Sequence, residues 1–267
     1  MRIHNLQPLV LFLVTTLACT VAHTVAWSAP SPDRPAIRRM DFTVTNQDGL
    51  KIFVRELSSP DTGSPRGPLL LVNGGRPGVL ASWDVDAPTT SVAEELALAG
   101  HCVFMMDVRG FGRSEFPPEM NQDRFKARVA VRSNEAVRDI AAVIAEIRRR
   151  KPDPNQLAAM GWATGSQWLG HYASLYPGSI SRLIYYNGAY GGPAGDWSQQ
   201  AEFGDPARPE ELNYSQHGAY RFATAESLAG RWRDEGIDAS FLDRYVELAM
   251  EGDATRPQRT PPSFRFP

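Results

Sequence analysis

Two hydrophobic rhythms alternate through the middle of the chain, and their order predicts the architecture. Leu69–Val72 ("LLLV"), Cys102–Met106 ("CVFMM"), Leu157–Met160 ("LAAM") and Arg182–Tyr186 ("RLIYY") are short, nearly continuous apolar runs. Runs of this length suit strands buried on both faces. Between them the period changes to that of a helix. Ser133–Lys151 places Val137, Ile140, Ile144 and Ile147 on one face and ends in Arg148 to Lys151, where cations suit the helix dipole. Ser91-Val92-Ala93-Glu94 has the spacing of a capping box and opens a helix that Gly100 stops. Ahead of these, Asp41–Asn46 and Leu50–Glu56 alternate in polarity around Asp48-Gly49, a hairpin signal. The sum is an α/β fold, a mostly parallel sheet flanked by helices.

Beyond Tyr186 the pattern changes. Gly188–Asn213 reads as loop, Ala225–Gly236 and Asp238–Met250 as helices, the second with Phe241, Tyr245 and Ala249 on one face. The tail "RPQRTPPSFRFP" reads as irregular, and no β-branched apolar strand is expected after Tyr186. At the other end, Arg2 precedes the apolar run Pro8–Ala26, with the small residues Thr24 and Ala26 before "WSAPSPDRP". That is the pattern of a secretory signal peptide, which implies export to the periplasm or beyond. A retained membrane anchor and lipidation at Cys19 are the alternatives. The chain thus divides into a signal peptide (1–26), a proline-rich leader (27–39), a core (40–190) and a lid-like helical region with its tail (191–267).

Composition narrows the function. The 267 residues are 42% hydrophobic and 22% charged, with a net charge of −2, which gives no reason to expect a nucleic acid partner. Cys19 and Cys102 are the two cysteines, so there is neither a disulfide framework nor zinc-ligand spacing. Cys102 opens an apolar run and reads as a buried, inert thiol. Gly110-x-Gly112 is too short for a dinucleotide fingerprint, and no cofactor or metal is implied.

The candidate chemistry lies in "LAAMGWATGSQ". A strand runs into Gly161-Trp162-Ala163-Thr164-Gly165 and then into a helix, the layout of a G-x-S-x-G nucleophile elbow with Ala163 at its centre. Two other segments accompany it in order, "LLLVNGGRPG" and "MMDVRGFGRSEFP". Together the three resemble the α/β-hydrolase fold superfamily, in particular its proline-iminopeptidase-like and esterase-like members. The resemblance covers Asp41 to about Tyr190, with Ala225–Met250 resembling the inserted helical lid. Asn73 stands where those members usually carry His, and Arg76 is inserted before Pro77.

The resemblance implies an oxyanion pocket made by the N–H of Thr164 and one from Gly74 or Gly75, with Trp162 beside it. A methyl group cannot attack a carbonyl, and Thr164 and Ser166 are the neighbouring hydroxyls. Asp107, Arg109 and Ser114 read as loop-shaping residues. His101 precedes a strand at the end away from the pocket, His171 reads as a packed or surface residue, and His217 in the lid region is the histidine placed to reach the pocket. The family's acid and base follow the lid on later strands, whereas this chain stops at Pro267, so nucleophile, acid and base are expected to be missing together. The expectation is a relative of small-molecule ester and amide hydrolases with impaired or absent catalysis. The alternatives are a non-catalytic small-molecule binding protein, with a lid pocket lined by residues such as Trp162, Trp168 or Tyr190, or a truncated fragment of a hydrolase. With the last strands missing, Arg182–Asn187 would form an exposed sheet edge through which the chain could self-associate.

Overall fold

The computed structural model describes residues 36–62, 66–87, 90–151, 157–188, 218–232 and 236–267. The expected signal peptide, most of the leader, Tyr190 and His217 lie outside them.

A six-stranded sheet forms the centre, in the order β1-β2-β4-β3-β5-β6. Strands β1 (Arg38–Thr45) and β2 (Lys51–Ser58) form the expected hairpin, starting three residues earlier than the alternation suggested. Its turn is held by Asn46, whose side-chain oxygen accepts from the N–H groups of Asp48 and Leu50 at 2.9 Å each. Gly49 adopts φ 83°, a conformation that favours glycine. Strand β2 pairs antiparallel with β4 (Cys102–Met106), and β3 (Pro68–Val72) lies parallel between β4 and β5 (Ala158–Trp162). Strand β6 (Arg182–Tyr186) adds to β5 in parallel. Every residue of β3 and β4 is buried, as their unbroken apolar sequences require.

Helices α1 (Val79–Trp83), α2 (Val92–Leu98), α3 (Ser133–Arg150) and α4 (Thr164–Leu175) flank the sheet. The capping box is formed: the Ser91 hydroxyl accepts from the Glu94 N–H and the Glu94 carboxylate from the Ser91 N–H. Val137, Ile140, Ile144 and Ile147 of α3 are all buried, as their spacing predicts. Between them sits a buried Asp139, which the apolar pattern does not announce. Its carboxylate accepts two hydrogen bonds from the Arg109 guanidinium, one from the Arg109 N–H and one from Asn46. Arg109 thereby ties the loop after β4 to α3 and, through Asp48, to the hairpin turn.

The C-terminal region corrects the sequence reading. Two strands do follow Tyr186: β7 (Arg221–Thr224) and β8 (Ser263–Phe266), paired as a separate antiparallel ribbon. They are four residues each and carry no β-branched apolar residue, as expected, so the pattern that marks a central strand is missing from them; what they correct is the reading of the tail as irregular. The tail is therefore ordered, with a 3₁₀ turn at Arg256–Gln258 leading to β8. Helix α5 ends at Ala229, well short of Gly236, while α6 (Ala239–Glu251) matches its expectation and is capped by Asp238. Asp253 and Arg265 anchor the region: the Arg265 backbone N–H and guanidinium both donate to the Asp253 carboxylate, and Arg259 adds a second cation. The ribbon and the end of α6 lie on the loop after β4, where a Cβ at Gly252 would run into the backbone of Gly112 and one at Gly110 would press on Pro267.

Candidate ligand site at the strand-to-helix turn

The turn from β5 to α4 keeps the backbone of a nucleophile elbow. Ala163 has φ 48° and ψ −115°, a region that non-glycine residues avoid because the Cβ crowds the backbone. The Ala163 N–H donates to the Tyr186 carbonyl at 2.9 Å and its carbonyl accepts from Ser166, which holds the residue in place from both sides. The flanking glycines are sterically required. A Cβ at Gly161 would run into the backbone of Gly165 and Ser166, and one at Gly165 into the carbonyl oxygen of Asn73.

The loop after β3 closes on this turn. A Cβ at Gly75 would lie 3.2 Å from the Thr164 hydroxyl, and one at Gly74 would lie 3.3 Å from the Trp162 carbonyl and 3.5 Å from its indole. The structure therefore brings Gly74, Gly75, Trp162 and Thr164 together around Ala163. Among the described residues, the N–H groups of Gly75 and Thr164 donate to no backbone carbonyl outside their own elements. Thr164 is also the first residue of α4, so its N–H faces no earlier helical turn.

Asn73 is fully buried, and its side-chain NH₂ donates to the carbonyls of Gly74 (2.8 Å) and Pro77 (3.3 Å). This fixes the loop's carbonyls inward, while the Asn73 side-chain oxygen has no donor. Asp107, at the end of β4, is the second clamp. Its carboxylate accepts from the N–H of Val79 at 2.6 Å and of Arg113 at 2.9 Å, so the start of α1 is pinned to the loop after β4. Burial pushes its carboxyl up to about 7, although the two N–H donors pull the other way. A Cβ at Gly112 would strike this carboxylate. Ser114 donates to the Asp107 carbonyl and accepts from the Phe53 N–H. Asp107, Arg109 and Ser114 thus shape the loops, as their sequence context suggested.

The hydroxyl of Ser166 is fully buried and donates to the Gly161 carbonyl at 2.5 Å. Thr164 is partly exposed, with its hydroxyl directed at Gly75. His101 sits at the amino end of β4 beside the Gly67 carbonyl, and His171 pairs with the Ser133 hydroxyl on the surface of α4. Neither reaches the turn. Cys102 is buried against Glu56, and burial pushes its thiol up to about 12.

A cavity of about 130 Å³ opens beside the turn, between α1 and the α5–α6 segment. Trp83, Val85, Trp162, Trp232, Phe241 and Tyr245 form much of its wall. Trp83 stacks edge-on against Trp162 with ring centroids 6.2 Å apart, and Trp232 meets Tyr245 at 5.3 Å. Of these rings only Trp162 was recognised from sequence. Trp168, a second residue expected in the pocket, instead packs against Phe111 in the core. The others come from segments that share no motif with the turn.

A family model described as alpha/beta hydrolase fold matches residues 68–219. No curated protein matches the chain significantly. Among solved structures, the thioesterase domain from the curacin biosynthetic pathway is 19% identical, with a TM-score of 0.50, over 81% of this chain and 67% of its own. A serine hydrolase involved in carbazole degradation is 15% identical, with a TM-score of 0.49, over 79% of this chain and 64% of its own. The chain spans about two thirds of the length of these structures. At 19% identity the likeness to the thioesterase domain speaks for the fold alone.

Proposed function

We propose that this chain, which belongs to the alpha/beta hydrolase fold family, binds a small carbonyl-bearing molecule at the β5–α4 turn and does not cleave it by nucleophilic attack. The observation that carries the reading is Ala163, held at φ 48° where the family's chemistry needs an attacking oxygen. The strained backbone persists without the side chain that makes use of it. Two backbone donors, the N–H groups of Gly75 and Thr164, border the same point and can polarise a carbonyl oxygen. Hydrogen bonds to that oxygen bind a ligand, but covalent catalysis also requires a nucleophile and a base to take its proton. The nearby Ser166 hydroxyl is buried and already donating, and no described histidine lies at the turn.

The pattern of Arg2 and the apolar run to Ala26 supports export of the protein, which would place its ligand outside the cytoplasm.

The test is a serine-directed fluorophosphonate followed by intact-mass measurement. The expected result is an unchanged mass after prolonged incubation. Stoichiometric addition mapped to Thr164 or Ser166 would overturn the proposal, since either would then be a working nucleophile.

A further inference from the structure

Three arginines gather beside the loop that follows β3, and none has an acidic partner among the described residues. The Arg76 guanidinium carbon lies 5.5 Å from the centre of the Phe266 ring, and that of Arg221 lies 5.4 Å from the same ring. Both cations therefore rest on one buried side chain of β8. Arg231, just past α5, is close enough for its charge to be felt at Arg76. Four other arginines are matched: Arg55 with Asp41 and Asp84, Arg109 with Asp139, Arg244 with Asp86, Arg265 with Asp253. Burial and the two neighbouring cations hold Arg76 below the usual guanidinium range. Like charges gathered without a counter-charge oppose folding, and a bound anion relieves them.

The aromatic cavity adjoins this cluster. Arg76 follows by two residues Gly74, where a Cβ would lie 3.5 Å from the Trp162 indole of the cavity wall, and Tyr245 of the same wall feels the charge of Arg76 and Arg231. Arg231 also directly precedes Trp232 of the cavity wall. An apolar cavity of about 150 Å³ holds one benzene, so a space of about 130 Å³ is of the size that takes a single ring. Trp83, in the wall, has its indole N–H buried with no acceptor among the described residues, a donor for a ligand oxygen.

We infer that the cavity and the arginines form one site for a single-ring aromatic carboxylate, its ring among Trp83, Trp162, Trp232 and Tyr245 and its carboxylate on Arg76 and Arg231. A planar guanidinium matches a carboxylate with two parallel hydrogen bonds, and the flat walls match a ring face or edge. The inference rests on the reading above, that the turn binds without cleaving, and supplies the aromatic acid end of the ligand, leaving the N–H groups of Gly75 and Thr164 for a further ligand oxygen.

Isothermal titration of the full chain with phenylacetate, and separately with the neutral 2-phenylethanol, tests it. Phenylacetate should bind at least about 10-fold more tightly at low salt, with the advantage shrinking as salt rises. Arg76→Met/Arg231→Met should erase that advantage and leave the affinity for the alcohol unchanged. Neither side chain forms an ion pair with a described residue, so the double variant gives up no such contact within the described fold. Equal affinities in the unmodified protein, or no binding of either compound, would overturn the site. The reading of the turn is judged separately: cleavage of phenyl acetate at about 1 s⁻¹ or faster, as in an ordinary hydrolase, would overturn that reading while leaving a measured preference for the anion intact.

Discussion

At Ala163 the backbone holds a conformation of order 1–3 kcal/mol above the ordinary one for a residue with a Cβ. Glycine lacks the clash, so Ala163→Gly should raise stability by roughly 1 kcal/mol once the extra freedom of the unfolded chain is subtracted. Urea unfolding checks this, and a loss of stability would mean that the turn is not strained. Asp107 gives a second prediction, one that depends on pH. Its folded pKa, about 7, lies above the 3.8 of an unfolded aspartate, so the folded chain holds the proton more tightly. That contribution to stability is complete below pH 3.8 and lost as pH rises through about 7. Asparagine carries no titrating proton. Comparing the protein with Asp107→Asn at pH 5 and pH 8, the advantage of the unsubstituted chain should shrink by about 3 kcal/mol at the higher pH. A gap that stays constant would mean the carboxyl is ionised throughout.

Among the elements, legibility followed periodicity. Strands β3, β4 and β6 and helices α2, α3 and α6 were marked by runs or faces long enough to stand out, and their order fixed the fold class. What escaped were features made by residues far apart in the chain. Asp139 looks like an ordinary helical aspartate until Arg109 and Asn46 arrive from other elements to satisfy it. Strand β8, "SFRF", reads as tail because its arginine is buried, and only the Asp253 carboxylate makes that burial tolerable. Burial alone would push the Asp253 carboxyl up, but hydrogen bonds from Arg265 and Thr255 outweigh it and hold it well below the usual carboxylate range. Arg265→Ala should therefore cost about 3 kcal/mol, the low end for breaking a buried ion pair, because Arg259 still faces the Asp253 carboxylate. The double variant Arg265→Met/Asp253→Asn should recover much of that in thermal unfolding, and equal losses from both would contradict the pairing. The site divides in the same way. Gly74, Gly75, Thr164 and Ala163 were legible from their motif, whereas the cavity rings of α1 and the α5–α6 segment were not.

For the whole molecule, the sheet ends at β6, whose outer side pairs with no described strand. Ile184 and Tyr186 are 45% and 54% exposed there, and an apolar edge is a template for pairing between chains. Ile184→Lys should lower the average mass in sedimentation at micromolar concentration while changing stability by less than about 0.5 kcal/mol. A strictly monomeric unsubstituted protein would remove the need for this account of the edge. The central claim concerns a fold that keeps its binding turn without its nucleophile, and one sample can test both halves. Phenyl acetate mixed with the protein and followed by proton NMR reports binding through line broadening and hydrolysis through the appearance of phenol. The account predicts a broadened ester that outlasts the experiment, since an oxyanion pocket without its attacking group retains at most about 10³–10⁴-fold acceleration over water. Phenol released in proportion to protein at about 1 s⁻¹ or faster, as in an ordinary hydrolase, would contradict it.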